Sequence, residues 1–384
     1  MELCLSWNRN LMAFLRNRGR EQPIGLINPT MSCYINSILQ CLTYTPPLAN
    51  YCLHRKHLSI CSKSDNNSEC PMCLLEDRIV RSFTVAKVQS EAPKSITSNL
   101  RMFGDNLSPH EQTDAQEFLD CVISACEESE KSSNSPNSKI LNKIFESVHK
   151  TINRCSECGN SSQADEIVNY FPLPLCQPDG SFTAPEAVIN LNESLTRYFT
   201  TEYLKGSTPC DKCKHISPIS IERSISKPPI VLLLTLQRFW VDKNNFLNSK
   251  KITSSVPFPE SLRLTQYLTS PHEGEDYLYS LYAIIVHRGI TMSSGHYLAY
   301  VKDADNYWFK CDDQNVSPAT TEDVLKEQKN VYMLFYISQT VPNNDGVTRK
   351  NIPQTVPKND VVAFSDNTES TLSVNSSDTT MSEN

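Results

Sequence analysis

Glycine and long apolar runs are both scarce in this sequence. It has 10 glycines in 384 residues, whereas glycine makes up about 7% of an average chain. The longest apolar stretch, IVLLLTL at 230–236, is far shorter than the ~20 residues of a membrane-spanning helix. The first twenty residues lack the apolar core of a secretory signal peptide. These absences predict a soluble protein with no membrane attachment.

Composition and charge narrow the class of protein further. Hydrophobic residues make up 39% and charged residues 21% of the chain, which excludes a fibrous or wholly disordered protein. The length allows one large domain with sub-domains, or two domains. The formal net charge of −7 argues against nucleic acid as a partner.

Cysteine, in contrast, is abundant. There are 15 cysteines, an odd number, in a chain much longer than the small secreted domains that disulfides stabilise. We therefore expect a reducing compartment, the cytoplasm or the nucleus or both, and cysteines that serve metal binding or catalysis.

Six of the cysteines form three C-x-x-C pairs, a spacing that lets two thiolates reach one tetrahedral ion. Two of the pairs lie in polar, turn-like sequence and together supply four ligands. Loop closure costs little more as a loop lengthens, so the distance between them in sequence is no obstacle. The sequence predicts a Cys4 zinc site from Cys155, Cys158, Cys210 and Cys213.

The third pair, Cys70 and Cys73, has its own neighbours. His57 and Cys61 precede it and could complete a second zinc site, and His54 is an alternative to His57. This second site would combine one C-x-x-C pair with a histidine and a single cysteine, whereas the first combines two C-x-x-C pairs.

Periodicity predicts an α+β fold with the helices first. One helix begins near Cys33 and stops before Pro46 and Pro47, and a second begins at the capping-box pattern Ser108-Pro109-His110-Glu111. From about residue 225 strands dominate. The predicted strands are IVLLLTLQRF, YLYSLYAIIVH, HYLAYVK, YWFKC and VYMLFYIS.

A cysteine, a histidine and an aspartate are candidates for thiol chemistry. Cys33 lies at a helix N-terminus, where the helix dipole favours a thiolate. His296 begins the strand HYLAYVK, and a hairpin folded about Ala304 places Asp312 opposite it. A turn one residue longer places Asp313 there instead, so the pairing geometry alone leaves both open. In such a trio the histidine moves the proton and the carboxylate orients the ring.

These residues resemble the sequence boxes of the ubiquitin-specific proteases, a family of papain-like deubiquitinating cysteine peptidases. The resemblance covers about residues 22 to 338, and its motifs follow one another in the family's order. They are GLINPTMSCYINSILQCL (25–42), QTDAQEFL (112–119), LQRF (236–239) and the segment from His287 to Asp313.

The resemblance implies a role for each matching residue. Cys33 would be the nucleophile, His296 the general base and Asp312 the orienting acid, with Asp313 supporting it and Asn28 stabilising the oxyanion. Asp114, with Gln112 and Glu117, would bind the basic C-terminal tail of ubiquitin.

The resemblance also implies an organisation into a thumb, a palm and zinc-bearing fingers. The expected boundaries are an N-terminal arm at 1–21, a catalytic domain at 22–338 and a disordered tail at 339–384. Within the catalytic domain the thumb covers about 22–145, the fingers about 146–225 and the palm about 226–338.

The expected function is hydrolysis of the bond after ubiquitin's C-terminal glycine through an acyl-enzyme thioester. Ubiquitin, ubiquitinated proteins and a regulatory partner are the expected partners. The alternative is a catalytically impaired ubiquitin-binding scaffold, because Thr30 stands where the family has glycine and a β-branched residue resists a positive φ. A zinc-dependent nucleic-acid binder is a third class, which the acidic balance disfavours.

Overall fold

The computed structural model describes most of the chain between residues 22 and 342. The described residues are 7, 22–61, 70–85, 88–108, 110–130, 135, 138–177, 180–204, 209–240, 250–270, 276–289, 295–342 and 348–350. The predicted N-terminal arm and C-terminal tail lie almost entirely outside them. Among the described residues, no helix combines the length and apolar content needed to cross a bilayer.

The N-terminal part of the chain is mainly helical. A short strand β1 (Gly25–Leu26) pairs in parallel with β2 (Ser90–Glu91). The helices are α1 (Cys33–Thr43), α2 (Pro46–Leu53), α3 (Pro71–Thr84), α4 (Lys94–Thr97), α5 (Ala115–Ser129) and α6 (Ile140–Phe145). The two prolines that end α1 also begin α2, because proline fits the first turn of a helix, where no intrahelical N–H bond is needed.

The predicted start of the second long helix is wrong. The helix α5 begins at Ala115, and Asp114 is its N-cap, accepting hydrogen bonds from the backbone N–H groups of Gln116 and Glu117. A carboxylate can serve as an N-cap as well as a serine can, and here it does so six residues after Ser108. The predicted inward face, which includes Phe118, is buried as expected.

A four-stranded sheet follows the helices. Its strands are β3 (Ser147–Cys155), β4 (Ser161–Val168), β6 (Glu202–Leu204) and β7 (Ile219–Lys227), in the order β4-β3-β7-β6. Between β4 and β6 the chain leaves this sheet to form β5 (Phe171–Pro174) and the helix α7 (Leu191–Phe199).

An eight-stranded sheet fills the C-terminal half. Seven strands follow the order β15-β14-β13-β12-β16-β8-β5, and β11 pairs with β12. Their bounds are β8 (Val231–Gln237), β11 (Ser261–Arg263), β12 (Leu278–Arg288), β13 (His296–Lys302), β14 (Trp308–Asp312), β15 (Asn315–Ala319) and β16 (Val331–Ser338). Two short strands, β9 (Phe239–Trp240) and β10 (Lys250–Lys251), pair with each other outside this sheet. The five predicted strands correspond to β8, β12, β13, β14 and β16, so the α+β prediction is confirmed.

The large sheet is buried on both faces. Alternate residues of β12 point to opposite sides: Ala283 and Ile285 pack with the helices, whereas Ile284 and Val286 belong to a second core on the other face. This explains why β12 reads as a continuous apolar run and not as an alternating pattern. The helix α1 contacts β13 directly, and the candidate active site forms at this contact.

Candidate active site

Cys33 and His296 lie at the ends of two elements that pack together. Cys33 is the first residue of α1, as predicted, and is 4% exposed. His296 is the first residue of β13. Because both side chains stand at element ends, they meet at the edge of the contact between helix and sheet.

His296 is held between Cys33 and Asp312. Its Nε2 atom lies 2.6 Å from Asp312 Oδ1. The neighbouring Cys33 sulfur raises the pKa of His296 to about 9 against the effect of burial, and Asp312 raises it further. A proton held on this ring is available for a leaving amine.

Asp312 is fixed on both of its oxygens. Oδ1 contacts His296, and Oδ2 lies 2.9 Å from Lys310 Nζ. Burial acts to raise the pKa of Asp312, but hydrogen bonds from His296 and Lys310 outweigh it and lower the pKa. The carboxylate therefore stays charged and can orient a protonated imidazole.

The predicted hairpin register is wrong, although Asp312 does contact His296. The observed pairs Ala299–Cys311 and Lys302–Trp308 centre the turn on Asp305, so continuing the ladder places Leu298 opposite Asp312. Asp312 thus reaches His296 diagonally. Side chains alternate along a strand, so a shift of two residues keeps Asp312 on the same face as His296.

Asp313 lies just beyond the end of β14 and makes different contacts. Its φ is +52°, a left-handed conformation that aspartate adopts more readily than most residues. Its Oδ2 accepts a hydrogen bond from Asn28 Nδ2 and its Oδ1 from Asn36 Nδ2, each at 2.9 Å. Its carbonyl accepts from Leu26 N at 2.8 Å. Two adjacent carboxylates therefore serve two separate networks.

Asn28 is tied to the start of α1. Its Oδ1 accepts hydrogen bonds from Ser32 N at 2.9 Å and Ser32 Oγ at 3.0 Å, and its Nδ2 donates to Asp313. An amide nitrogen carries two N–H groups, so the bond to Asp313 uses one and leaves a second donor. This arrangement is compatible with the oxyanion role predicted for Asn28.

Thr30 does not adopt the backbone conformation that motivated the scaffold alternative. The described non-glycine residues with positive φ are Arg55, Lys139, Lys214, Asn306 and Asp313. Because the φ of Thr30 is not positive, its β-branched side chain causes no strain of that kind. The glycine that the family usually has at this position is not required by this loop.

The three residues predicted to bind a basic tail have structural contacts of their own. Asp114, besides capping α5, accepts hydrogen bonds from the hydroxyls of Tyr297 at 3.0 Å and Tyr332 at 2.8 Å. Gln112 donates to the carbonyl of Gly295 at 2.8 Å, next to His296. Glu117 is exposed and accepts from Asn106. Their role toward a ligand stays a prediction.

Sequence reasoning missed several supporting residues. Lys310 shares a strand face with Asp312, a period of two that the strand pattern could have revealed. Asn36 lies one helical turn after Cys33. Gly295 has no space for a side chain, because a Cβ there would lie 2.2 Å from His287 Nε2, and this contact has no sequence signal.

The four cysteines of the predicted Cys4 site come together at one end of the four-stranded sheet; we call them the finger cluster. Cys155 and Cys213 sulfurs are 3.9 Å apart, and those of Cys158 and Cys210 are 3.7 Å apart. Tetrahedral zinc–thiolate bonds of about 2.3 Å require sulfurs about 3.8 Å apart, so the geometry fits zinc.

The two C-x-x-C turns of the finger cluster are built alike. In each, the N–H of the residue after the second cysteine donates to the carbonyl of the first, from Gly159 to Cys155 and from Lys214 to Cys210. Gly159 and Lys214 both have positive φ, at 67° and 61°. This shared turn directs both thiols of a pair to one side.

The second predicted set also assembles, and we call it the thumb cluster: His57, Cys61, Cys70 and Cys73. His57 Nε2 lies 3.3 Å from Cys70 Sγ, and Cys61 and Cys73 sulfurs are 3.6 Å apart. The alternative ligand His54 is wrong, since the cluster forms with His57 and His54 Nδ1 contacts the Asn50 carbonyl. The donor set again fits zinc.

Comparison with known proteins gives a consistent result. The model of the ubiquitin carboxyl-terminal hydrolase family matches residues 24–336. Ubiquitin carboxyl-terminal hydrolase 25 of Arabidopsis thaliana is 34% identical over 87% of this chain and 50% of its own length. A mouse hydrolase 17-like protein D is 33% identical over 82% of this chain and 55% of its own length. The chain thus spans about half the length of these curated relatives.

Solved structures agree with the sequence relatives. A SAGA DUB module of Ubp8, Sgf11, Sus1 and Sgf73 bound to monoubiquitin matches with a TM-score of 0.70 and 26% identity, over 86% of this chain and 75% of the other. The module bound to ubiquitin aldehyde matches with a TM-score of 0.69 and 25% identity, over 86% and 75%. With these matches and its Cys33–His296–Asp312 arrangement, this chain belongs to the ubiquitin carboxyl-terminal hydrolase family of cysteine peptidases.

Proposed function

We propose that this chain is a deubiquitinating thiol protease that hydrolyses the isopeptide or peptide bond after ubiquitin's C-terminal glycine. The observation that carries the proposal is His296, held at 2.6 Å by Asp312 and close enough to the Cys33 sulfur for that thiol to raise its pKa. Relatives with ubiquitin or ubiquitin aldehyde bound support the choice of substrate.

The reaction uses these groups in sequence. The Cys33 sulfur attacks the carbonyl carbon of ubiquitin's last glycine, and negative charge moves to the carbonyl oxygen beside the Asn28 amide. When this intermediate collapses, the C–N bond breaks and the proton on His296 goes to the leaving amine. Water, deprotonated by His296, then attacks the thioester and releases ubiquitin's carboxylate and the Cys33 thiol.

Zinc in this proposal has a structural role only. We infer that the finger and thumb clusters each hold one zinc ion, because both donor sets fit tetrahedral geometry. Neither cluster includes Cys33 or His296, so zinc would stabilise the fold and take no part in hydrolysis. Zinc counting by native mass spectrometry tests this proposal: two ions are expected, one would remove one site, and none would remove both.

The proposal extends to partners and location. The Ubp8 structures contain Sgf11, Sus1 and Sgf73, and we propose that this chain also works with a regulatory partner in addition to ubiquitin and ubiquitinated proteins. None of the described cysteines forms a disulfide, which supports a reducing compartment, the cytoplasm or nucleus. Imaging of the tagged protein tests the location.

A covalent probe tests the proposed reaction. Ubiquitin with a C-terminal electrophile is expected to label the wild-type chain at Cys33. The Cys33→Ala variant should lose labelling, whereas Cys121→Ala, which removes a more exposed thiol of the same helical region, should keep it. Ubiquitin binding without labelling of the wild type would favour the scaffold alternative, and neither binding nor labelling would overturn the substrate assignment.

A further inference from the structure

Asn36 is a residue of α1 whose buried side-chain amide lies beside the candidate active site. It lies one turn after Cys33 on α1 and is 2% exposed. Its Nδ2 donates to the Leu26 carbonyl and to Asp313 Oδ1, both at 2.9 Å. One side chain thus joins the nucleophile helix to the segment that precedes Asn28 and to the turn that follows β14.

The orientation of this amide is fixed by its neighbours. Asn36 Oδ1 is buried and has no hydrogen-bond partner. Turning the amide over would point that oxygen at the Leu26 carbonyl and the Asp313 carboxylate, two groups that only accept hydrogen bonds. The two N–H groups must therefore face these acceptors. The bonds to both acceptors are kept although Oδ1 is left without a hydrogen bond, which costs free energy.

The contacts of Asn36 complete a closed ring of hydrogen bonds. Asn36 holds Asp313, Asp313 holds the Asn28 amide, and Asn28 accepts from Ser32, the N-cap of α1. The ring closes where the Asn36 N–H donates to the Ser32 carbonyl at 2.9 Å. The Asn28 amide therefore cannot turn without breaking a bond to Asp313 or Ser32.

We propose that Asn36 is a positioning residue for the reaction: through Asp313 it holds the Asn28 amide where the oxyanion forms. This inference rests on the proposed function. It assigns Asn36 no contact with substrate and no proton transfer. Its effect should therefore pass entirely through Asn28, which distinguishes it from a residue that only stabilises the fold.

A double-mutant cycle with Asn28 tests the proposal. Asn36→Leu keeps the approximate size and removes the amide, and turnover is measured on ubiquitin with a C-terminal fluorogenic amide. We expect kcat to fall by about tenfold to hundredfold, less than the roughly 10²–10³ for a lost oxyanion donor, with KM changed less than about threefold. In an Asn28→Ala background the same change should lower kcat by less than about threefold. An equal loss of kcat in both backgrounds would overturn the proposal.

Gln40 provides a matched control on the same helix. Its buried amide donates to the Ile24 carbonyl at 2.7 Å and makes no bond to Asp313. Gln40→Leu should lower the unfolding midpoint about as much as Asn36→Leu but leave kcat within about twofold. A loss of kcat as large as that of Asn36→Leu would show that any buried amide here has the same effect, and the proposal would fail.

An exchange variant covers the case in which Asn36→Leu does not fold. Asn36→Asp alone places a second carboxylate directly against that of Asp313. Asn36→Asp combined with Asp313→Asn restores an amide–carboxylate pair between the two positions. The exchange should recover at least about tenfold of the kcat lost in Asn36→Asp, and no recovery would overturn the proposal. Labelling of the wild type at Cys33 is checked first: without it the proposed function fails, whereas with it a negative cycle rejects only the role of Asn36.

Discussion

The thumb cluster and the finger cluster have similar ligands in very different surroundings. In the thumb cluster His57 and Cys70 are each 1% exposed, and the His57 Nδ1 atom contacts Glu130 Oε1 at 2.8 Å. In the finger cluster three of the four cysteines are partly exposed, at the end of a sheet. A C-x-x-C pair thus lies in a buried core in the thumb cluster and in partly exposed turns in the finger cluster.

This difference indicates that the two clusters stabilise different amounts of structure. The thumb cluster joins the end of α2 to the start of α3, and Glu130 links it to the end of α5. The finger cluster joins only two turns, so its loss should be local. The following predictions rank the expected effects on the free energy of unfolding.

Loss of a thumb ligand should have the largest effect. Cys70→Ser removes a ligand from a buried site, and loss of a structural metal costs more than about 4 kcal/mol. At about 2–4 °C per kcal/mol this lowers the unfolding midpoint by roughly 10 °C or more. Thermal unfolding followed by circular dichroism measures it. Cys126→Ala, a buried thiol outside the cluster, is the control, and an equal effect of both variants would contradict a metal site.

Glu130→Gln should have a smaller effect. The carboxylate orients His57 through Nδ1, and removing such a partner weakens zinc binding about tenfold to hundredfold, or roughly 1–3 kcal/mol. Competition with a chelator measures the affinity. Glu157 of the fingers, which accepts hydrogen bonds from His215 and Ser217, is the comparison. If Glu157→Gln weakens zinc binding to the finger cluster as much as Glu130→Gln weakens zinc binding to the thumb cluster, burial of the carboxylate does not determine its contribution to zinc affinity.

A buried histidine at the base of the fingers should make stability depend on pH. His149 is fully buried among Phe171, Tyr198 and Phe199, and burial lowers its pKa to about 4. The folded state therefore binds fewer protons than the unfolded state, and stability falls as the pH drops below about 6.5.

The expected size of this effect is about 1 kcal/mol between pH 7 and 5.5. His149→Phe should remove it, as measured by denaturant unfolding at the two pH values. His287 in the large sheet is also buried with a pKa lowered to about 4 and adds to the dependence, whereas the raised pKa of His296 acts in the opposite direction. The quantity to compare is therefore the difference in pH dependence between the wild type and His149→Phe. An unchanged dependence would show that His149 is not neutral in the folded state.

Loss of a finger ligand should have the smallest effect on global unfolding. Cys210→Ser should lower zinc content by one ion per chain while the main unfolding midpoint moves by less than about 2 °C. Hydrogen exchange should accelerate only near residues 155–161 and 210–219, and kcat should stay within about twofold. A fall in the unfolding midpoint as large as that of Cys70→Ser would show that the two clusters contribute equally to global stability.

The sequence was most informative where pattern and chemistry agreed. The strand β12 and the start of α1 at Cys33 were predicted within one residue, because apolar periodicity and turn residues marked both ends. The members of both candidate metal clusters were predicted from the C-x-x-C spacing and from neighbouring residues, since a tetrahedral ion restricts where four ligands can lie. The choice between His54 and His57 required the structure, because both follow the same helix.

Contacts between distant segments were harder to predict. The start of α5 was wrong because Ser108 and Asp114 are both good N-caps, and only the tyrosines that reach Asp114 from β13 and β16 distinguish them. The hairpin register was wrong by two residues, yet the predicted Asp312 contacts His296 because strand faces repeat every second residue. The bond from Asn36 to Asp313 joins residues 277 positions apart, and no local pattern encodes it.

Gly25 has a consequence for the synthesis of this protein. A Cβ at Gly25 would lie 2.2 Å from the Gln314 carbonyl oxygen, so the N-terminal strand crosses directly against the turn that follows Asp313. The nucleophile segment therefore reaches its final surroundings only when residues near 314 have left the ribosome. Until then the nascent chain carries Cys33 without its histidine and carboxylates. Synthesis beyond residue 314 thus precedes any hydrolysis, and a chain that stops before this residue has a thiol but no catalytic site.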